Sequence, residues 1–439
     1  MFLFAFFAVF AVLVRRLASL LTARRLMLWG GALLLLSWFI HVYTMAAPGL
    51  VDRAGRVKGS DYVQFYVMGS LARDGRIDAL YDPQAHLAEG RRRIDSSLGL
   101  YAEHPNYGPQ VALAFVPFAT LPYLRSLVLF LALSALAYAL SVWMVWRECG
   151  ALAKHGVLVS ILAAASPLFL TVVRYGQASA FGLLAVSAAF VALRRQRPLF
   201  AGFAIGCLAY KPQLGIVFGV VFLATREWRV VGGALLAVFG QAAIAWFVAG
   251  PVTLGRYIGE LWLLARHPNL VELFPSEIHS WRGFVQLLVP YDPFVSACAI
   301  VGLLVVLVAG TRVWATSAPV GVRWGAIVVL TILASPHLVA YDLLLLTLPL
   351  LLFADWAVQH RDHAASASVR VLLVLLYFAP FSGMIVARLT GIQVSVIAMA
   401  ILTWQMYQVS IASRAMVAPR WEDVSSQNSA TRGWRSSAA

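Results

Sequence analysis

The feature that most constrains this chain is a series of apolar runs, each of about 17 to 22 residues, that recur between residues 26 and 412. A helix of roughly 20 residues just crosses the hydrocarbon core of a bilayer. The composition agrees, because 61% of the residues are hydrophobic, 12% are charged and the mean hydropathy is +0.80. The sequence therefore predicts an all-α polytopic membrane protein with about 11 to 13 transmembrane helices.

The net charge of +15 comes largely from short arginine clusters at the ends of the apolar runs. Clusters in these positions follow the positive-inside rule and pair with anionic headgroups, so they indicate membrane lipids, and no nucleic acid, as partners. The clusters are Arg15-Arg16, Arg24-Arg25, Arg194-Arg195 with Arg197, and Arg226 with Arg229.

Three regions follow from this pattern. Residues 1–25 form an N-terminal extension, residues 26–412 form the transmembrane domain, and residues 413–439 form a tail that we expect to be cytoplasmic and disordered. Within the domain, residues 49–106 form a long first outer loop. Alternation of the spans places this loop and the Ser335-Pro336-His337 turn on the same, extracytoplasmic side.

The region between the first outer loop and Arg194 does not fit a simple alternation of spans. An odd number of crossings is required there, so at least one apolar segment must be re-entrant or too short to span. We expect that segment to be 107–122, because Pro109, Pro117 and Pro122 interrupt it. The four segments are 107–122, 124–146, 157–173 and 177–193.

Two later regions are expected to face outward. Residues 199–224 lie between two arginine clusters and are predicted to form a short helical hairpin. Its tip is Tyr210-Lys211-Pro212-Gln213, where a proline fits better than inside a helix. Residues 250–292 are predicted to form a second long outer loop.

Asp61 lies in the first outer loop, shortly after the first predicted span. A carboxylate just outside the bilayer indicates chemistry at the membrane surface, so Asp61 is a candidate functional residue. Asp74, Asp78 and Asp82 are close enough in sequence to be alternatives. The apolar residues between positions 63 and 71 recur at helical spacing, which predicts a helix lying on the membrane plane.

Three cationic or titratable side chains lie within or beside apolar runs: Lys211, Arg174 and His337. Ionisable groups at membrane depth are costly and usually mark functional sites that hold a partner group. Long side chains that reach the interface are the alternative explanation for Lys211 and Arg174. His337 is also a candidate catalytic residue, because it is expected on the same side as Asp61.

Polar residues of the two outer loops are candidates for binding an acceptor or a sugar. They are Tyr62, Tyr81, Asp82, Glu277 and His279. The chain has no GxxxxGKS phosphate-binding loop, no HExxH motif and no CxxC pair, so a cytosolic nucleotide is not the expected energy source.

Several short motifs occur in a fixed order along the chain. They are Ser60-Asp61-Tyr62, Tyr81-Asp82-Pro83, Tyr107-Gly108-Pro109, Gly176-Gln177, the stretch from Ala201-Gly202 to Lys211-Pro212, and Ser335-Pro336-His337 with Tyr341-Asp342. Over residues 27–412 this order resembles the integral-membrane glycosyltransferases of family 87. That family shares the GT-C fold and includes mannosyltransferases that extend phosphatidylinositol mannosides.

The resemblance implies a GT-C-like fold and an inverting reaction at the extracytoplasmic face of the plasma membrane. A sugar, with mannose the best-attested group, would pass from a polyprenyl-phosphate donor to a glycolipid or glycan acceptor. Asp61 would be the general base, and Lys211, Arg174 or His337 would stabilise the lipid phosphate that leaves. No metal or other cofactor is expected, because the leaving group carries a single phosphate.

Two other classes of protein fit parts of the pattern. A transporter or flippase of lipid-linked saccharides would share the membrane fold and the intramembrane charges, but predicts broken helices in matching positions of two halves. This chain instead gathers its polar residues in one loop after the first span. A non-catalytic scaffold would tolerate replacement of Asp61.

Overall fold

The computed structural model describes residues 12–100, 104–272 and 274–415. In these ranges seven helices are long and apolar enough to cross a membrane, and the number reaches eight if a helix pair bent by 80° is one span. This confirms the prediction of an all-α polytopic membrane protein. The spans are Ala23–Met45 (α1), Tyr123–Arg147, Leu152–Tyr175, Trp228–Arg266, Asp292–Trp314, Asp342–Gln359 and Val394–Ala412, with the bent pair Ser366–Tyr377 and Ala379–Thr390.

The prediction of about 11 to 13 spans treats every apolar segment as a span, whatever its length. The structure separates them, because four apolar helices of the described chain have only 10–17 residues. These shorter helices are Ser179–Arg194, Pro198–Tyr210, Pro212–Ala224 and Val320–Ala334.

The segment 107–122 is not a span in the structure, as its prolines indicate. It contains a seven-residue helix, Pro109–Phe115, and a turn of 3₁₀ helix, Phe118–Thr120. The segment 157–173 is broken into Gly156–Ala164 and Pro167–Tyr175, with a proline at the start of the second helix. If the shorter helix Ser179–Arg194 is counted with the spans Tyr123–Arg147 and Leu152–Tyr175, three apolar segments remain before Arg195, which is the odd number that alternation requires.

The predicted tip of the 199–224 hairpin is a break in the structure. The first helix ends in a 3₁₀ turn, Cys207–Tyr210, and Pro212–Leu214 begins the next. Lys211 lies between them with φ −129° and ψ 77°, which are not helical angles. The backbone thus leaves the helix where a lysine interrupts the apolar run.

The prediction of a loop over residues 250–292 is wrong for its first part. Helix Trp228–Arg266 continues beyond Gly250, which bends it with φ 75° and ψ 167°, a conformation open only to glycine. The extension packs over the first outer loop, where Tyr257 contacts Tyr81 and Glu260 binds His104 at 2.7 Å. Helix Trp281–Leu288 forms later in the same region.

The helix predicted in the first outer loop is present, and protein covers its apolar face. Helix Tyr62–Arg73 (α2) is buried over most of its length, including Phe65 and Met68. Its aromatic side chains pack on Phe115 and Phe130 of the following helices. The apolar spacing correctly predicts this helix, whose apolar side chains are covered by other parts of the protein. A second loop helix, Pro83–Arg93, lies beside it.

Candidate functional site

Asp61 lies at the start of α2, where an aspartate usually caps the helix with its side chain. Its carboxylate makes no capping hydrogen bond here. One carboxylate oxygen accepts from the Ser60 hydroxyl at 3.1 Å, and the other accepts from the Gln177 amide at 2.9 Å. The Asp61 side chain is therefore fixed by Ser60 and Gln177 and does not cap the helix.

A glycine brings the two parts of the chain that hold Asp61 together. Gly176 ends helix Pro167–Tyr175 in the left-handed conformation, with φ 73°. A Cβ at this position would lie 2.7 Å from the Cβ of Tyr62 and 3.3 Å from the Cα of Gly59. The backbone of Asp61 donates to the carbonyl of Tyr175 at 3.0 Å. Only glycine permits this approach, so Gly176 places Gln177 beside the carboxylate.

Lys211 and Asp342 form a buried ion pair close to Asp61. The Nζ atom of Lys211 lies 2.7 Å from Oδ1 of Asp342, and both side chains are at most 7% exposed. Ser179 donates to the same oxygen at 2.6 Å. Because the pair is formed within the protein, much of the lysine charge is already neutralised before any ligand arrives.

Tyrosine side chains connect the ion pair with Asp61. Lys211 lies 5.0 Å from the ring centre of Tyr341 and 6.0 Å from that of Tyr107. The Tyr107 hydroxyl donates to the amide oxygen of Gln177 at 3.2 Å. Asp61, Gln177, Tyr107, Lys211 and Asp342 therefore form one buried polar network, which we call the Asp61 network.

Burial raises the pKa of the Asp61 carboxyl above its usual value, because the charged form loses water. The hydrogen bonds from Gln177 and Ser60, and the positive charge of Lys211, act in the opposite direction. A carboxylate whose pKa lies nearer to neutral pH is a stronger base than an exposed one. Burial thus makes this carboxylate more ready to take up a proton than an exposed one.

Arg174 is a further cation, next to the part of the chain that holds Asp61. It precedes Tyr175, whose carbonyl binds the Asp61 backbone, and it is half-buried. Within the residues that the structure describes, the side chain of Arg174 makes no hydrogen bond or ion pair. Its charge is therefore not paired there, unlike that of Lys211.

His337 lies in a separate cluster. Its Nδ1 atom is 2.8 Å from Oε1 of Glu272, and the other oxygen of Glu272 pairs with Arg282. Arg282 also donates to the carbonyl of Pro336 at 2.7 Å, which fixes the turn that carries the histidine. Among the described residues, His337 shares no hydrogen bond or ion pair with the Asp61 network. The structure thus does not join the two predicted catalytic side chains directly.

The predicted acceptor-binding residues of the first outer loop have partners within the protein. The Tyr62 hydroxyl lies 2.5 Å from that of Ser126, inside the aromatic core. The Tyr81 hydroxyl donates to the carbonyl of Tyr107, which supports a residue of the Asp61 network. Asp82 caps helix Pro83–Arg93. Each of these three side chains has a structural contact that accounts for it.

The predicted acceptor-binding residues of the second outer region differ in exposure. Glu277 is partly exposed and pairs with Arg388 at 2.7 Å. His279 is fully buried and lies 2.8 Å from the Ser395 hydroxyl. Burial lowers the pKa of His279 to about 3, so its ring is neutral. The backbone of His279 donates to Leu338 at 2.8 Å, which supports the turn of His337.

The alternative bases in the first outer loop are less suited than Asp61. Arg92, Arg93 and Arg73 surround Asp74 and hold the pKa of its carboxyl well below the usual range, which weakens it as a base. Asp78 lies in a short 3₁₀ helix, where its carbonyl accepts from Arg256. Only Asp61 of these candidates joins the buried network.

Several residues of these clusters had no role assigned from the sequence, among them Gln177, Tyr107, Asp342, Ser179 and Glu272. The first three lie in the short motifs Gly176-Gln177, Tyr107-Gly108-Pro109 and Tyr341-Asp342, which is the signal that could have identified them. Ser179 and Glu272 carry no local signal, since their roles depend on contacts between distant parts of the chain.

No curated protein and no solved structure matches the chain. The model of glycosyltransferase family 87 matches residues 106–336. That range includes Gln177, Lys211 and Arg174, and it covers more than half of the 439 residues. The chain is an integral-membrane glycosyltransferase and belongs to glycosyltransferase family 87.

Proposed function

We propose that this glycosyltransferase moves a sugar from a polyprenyl-phosphate donor to an acceptor hydroxyl, with Asp61 as the general base. The observation that carries the proposal is the half-buried Asp61 carboxylate, held by Gln177 and Ser60 and free of a helix-capping role. Mannose is the sugar that the family resemblance favours, and a glycolipid or glycan is the acceptor. The reaction is assigned to the extracytoplasmic face of the plasma membrane, following the arginine distribution.

The chemical step is a single displacement at the anomeric carbon. The acceptor oxygen forms a bond to this carbon as the bond to the phosphate oxygen breaks. The acceptor proton passes to the Asp61 carboxylate, and the polyprenyl phosphate leaves with the bonding electron pair. One displacement inverts the anomeric configuration. The raised pKa of Asp61 suits it to receive the proton.

The leaving phosphate gains a negative charge during this step and needs a cation beside it. Arg174 is proposed for this role, because its guanidinium has no ion pair among the described residues. The Lys211 ammonium is already paired with Asp342. Its proposed contribution is to position the rings of Tyr107 and Tyr341 and to keep a positive charge near Asp61. His337, oriented by Glu272, is proposed to hydrogen-bond the donor phosphate through its second ring nitrogen.

Donor preference tests the proposal directly. Purified protein in nanodiscs would receive a glycolipid acceptor pool with either polyprenyl-phosphate mannose or the nucleotide sugar GDP-mannose. We expect product from the lipid donor alone, with the anomeric configuration inverted as read by NMR. Product from the nucleotide sugar, or retention of configuration, would contradict the proposal.

The transporter hypothesis receives less support than the enzyme hypothesis. The breaks at Lys211 and Gly250 resemble the discontinuous helices that transporters use. Family membership nevertheless favours sugar transfer, and the buried polar groups gather at one end of the helices around Asp61. A flippase would move lipid-linked saccharide across vesicles without forming a glycosidic bond, which the same assay would detect.

A further inference from the structure

The first span leaves a cavity between itself and the rest of the protein. Gly30 is the one buried residue of α1, so this helix packs loosely on its neighbours. The cavity has a volume of about 400 Å³. From α1 it is lined by Trp29 and by Ala23, Leu26, Gly30 and Leu33, and the last four recur at helical spacing on one face. The face of α1 that meets the protein therefore borders a space instead of a packed core.

This cavity lies toward the end of the spans opposite Asp61. Span Leu152–Tyr175 reaches the Asp61 backbone with Tyr175, so its other end is remote from the site. Span Asp342–Gln359 likewise starts at the Asp61 network and ends at the remote side. The cavity extends to His155, Arg361 and Arg370, which lie at or just beyond those remote ends.

The lining is mostly apolar, apart from the hydroxyl-bearing residues Tyr138, Ser166, Thr347 and Tyr377, and cationic groups collect at the remote end. Arg361 makes no hydrogen bond or ion pair within the described ranges. Arg370 donates only to the backbone carbonyls of Ser366 and Ala18, at 3.4 and 3.5 Å. Asp362, next to Arg361 in sequence, is the acidic neighbour and is exposed. Two arginines with few partners at the mouth of an apolar cavity match a headgroup phosphate above an acyl chain.

We propose that the cavity binds one anionic phospholipid from the leaflet remote from Asp61. An acyl chain fills the space between α1 and the span Leu152–Tyr175, and the phosphate contacts Arg361 and Arg370. The lipid also supports the loop of the site indirectly, because it wedges α1 against the other spans. The last turns of α1 hold that loop, since Thr44 accepts from the backbone of Arg53 at 3.0 Å.

Native mass spectrometry of the full-length protein with phosphatidylglycerol or phosphatidylcholine tests this assignment. We expect tighter retention of one phosphatidylglycerol, weakened about fivefold for each arginine removed in Arg361→Gln and Arg370→Gln. Arg229→Gln is the matched control, because Arg229 is an exposed arginine that does not line the cavity. Ala354→Phe would fill the cavity and should remove the same single lipid without removing a charge.

Equal retention of both lipids, or unchanged retention in the double arginine variant and in Ala354→Phe, would overturn the proposal. A wild-type protein that carries no phospholipid in a bilayer-derived preparation would also overturn it. The apolar residues 1–11 of the chain itself would then be the next occupant to test. If phosphatidylcholine is retained as well as phosphatidylglycerol, and is lost in Ala354→Phe but not in the arginine variants, the proposed contact between the lipid phosphate and the two arginines is wrong.

Discussion

The amide of Gln177 donates a 2.9 Å hydrogen bond to the Asp61 carboxylate across 116 residues of sequence. The same amide accepts from Tyr107, so one side chain orients the proposed base and links it to the aromatic side chains around Lys211. Gly176 makes this contact possible by letting its backbone pass against Gly59 and Tyr62. The geometry of the base therefore depends on a glutamine that does not itself react.

Replacing Gln177 by methionine should shift the pH dependence of sugar transfer. Its hydrogen bond lowers the pKa of Asp61, so its loss raises that pKa further. Asp61 must be ionised to act, and the rate should then fall at a higher pH than in the wild type as the solution is acidified. The measurement is kcat/KM against pH. Gln359→Met, which removes an amide–carboxylate contact at the opposite end, should leave the profile unchanged.

The Lys211–Asp342 pair should show strong coupling in stability. Lys211→Met or Asp342→Leu alone leaves a buried charge without its partner and should destabilise the protein by about 3–5 kcal/mol. The double variant removes both charges and should recover most of that loss. Denaturant unfolding in detergent measures the three variants. Simple addition of the two single effects would show that the pair is not energetically coupled.

Removing the charge of Arg174 should weaken stabilisation of the leaving phosphate. Arg174→Gln is expected to lower kcat by about a hundredfold, as for loss of one group that stabilises charge in a transition state. The folded state should be little affected, since the described residues offer Arg174 no ion pair. Arg91→Gln, at an exposed arginine of the first outer loop, is the matched control. Equal activity of the two variants would remove Arg174 from the mechanism.

His337 should affect donor binding more than the chemical step. His337→Ala is expected to raise the KM for the lipid donor about tenfold with a smaller change in kcat, because it lies in a cluster apart from Asp61. His363→Ala, an exposed histidine beyond the remote end of the spans, serves as control. An equal fall of kcat and kcat/KM would instead show that His337 interacts with the substrate only in the transition state.

The sequence predicted the membrane class, the family and the role of prolines in the 107–122 segment, because hydropathy and proline act locally. It did not predict that α2 is covered by protein, since an apolar face packs equally well on lipid or on Phe115 and Phe130. It also missed the helical extension beyond Gly250, because the alternation of the spans assigned residues 250–292 to an outer loop without showing its local structure.

For the site, the sequence predicted Asp61, Lys211 and Arg174 as isolated candidates. Their relationship was not predictable, because pairing of Lys211 with Asp342 joins positions 131 residues apart. The pairing changes the expected role of Lys211, since its charge is already matched by Asp342, whereas the Arg174 side chain has no ion pair among the described residues. Tyr62, Asp82 and His279 were selected by position in a loop, whereas burial and hydrogen bonds decide what a polar side chain does.

The most direct test of Asp61 as the base is single-turnover transfer from polyprenyl-phosphate mannose by wild type, Asp61→Asn and Asp74→Asn. Asn keeps the shape of the side chain and its contact with Gln177 in part, but it cannot take a proton. We expect Asp61→Asn to lose about 10²–10⁴-fold in rate with unchanged thermal stability, and Asp74→Asn to stay close to wild type. A folded Asp61→Asn protein that transfers sugar at the wild-type rate would contradict the account.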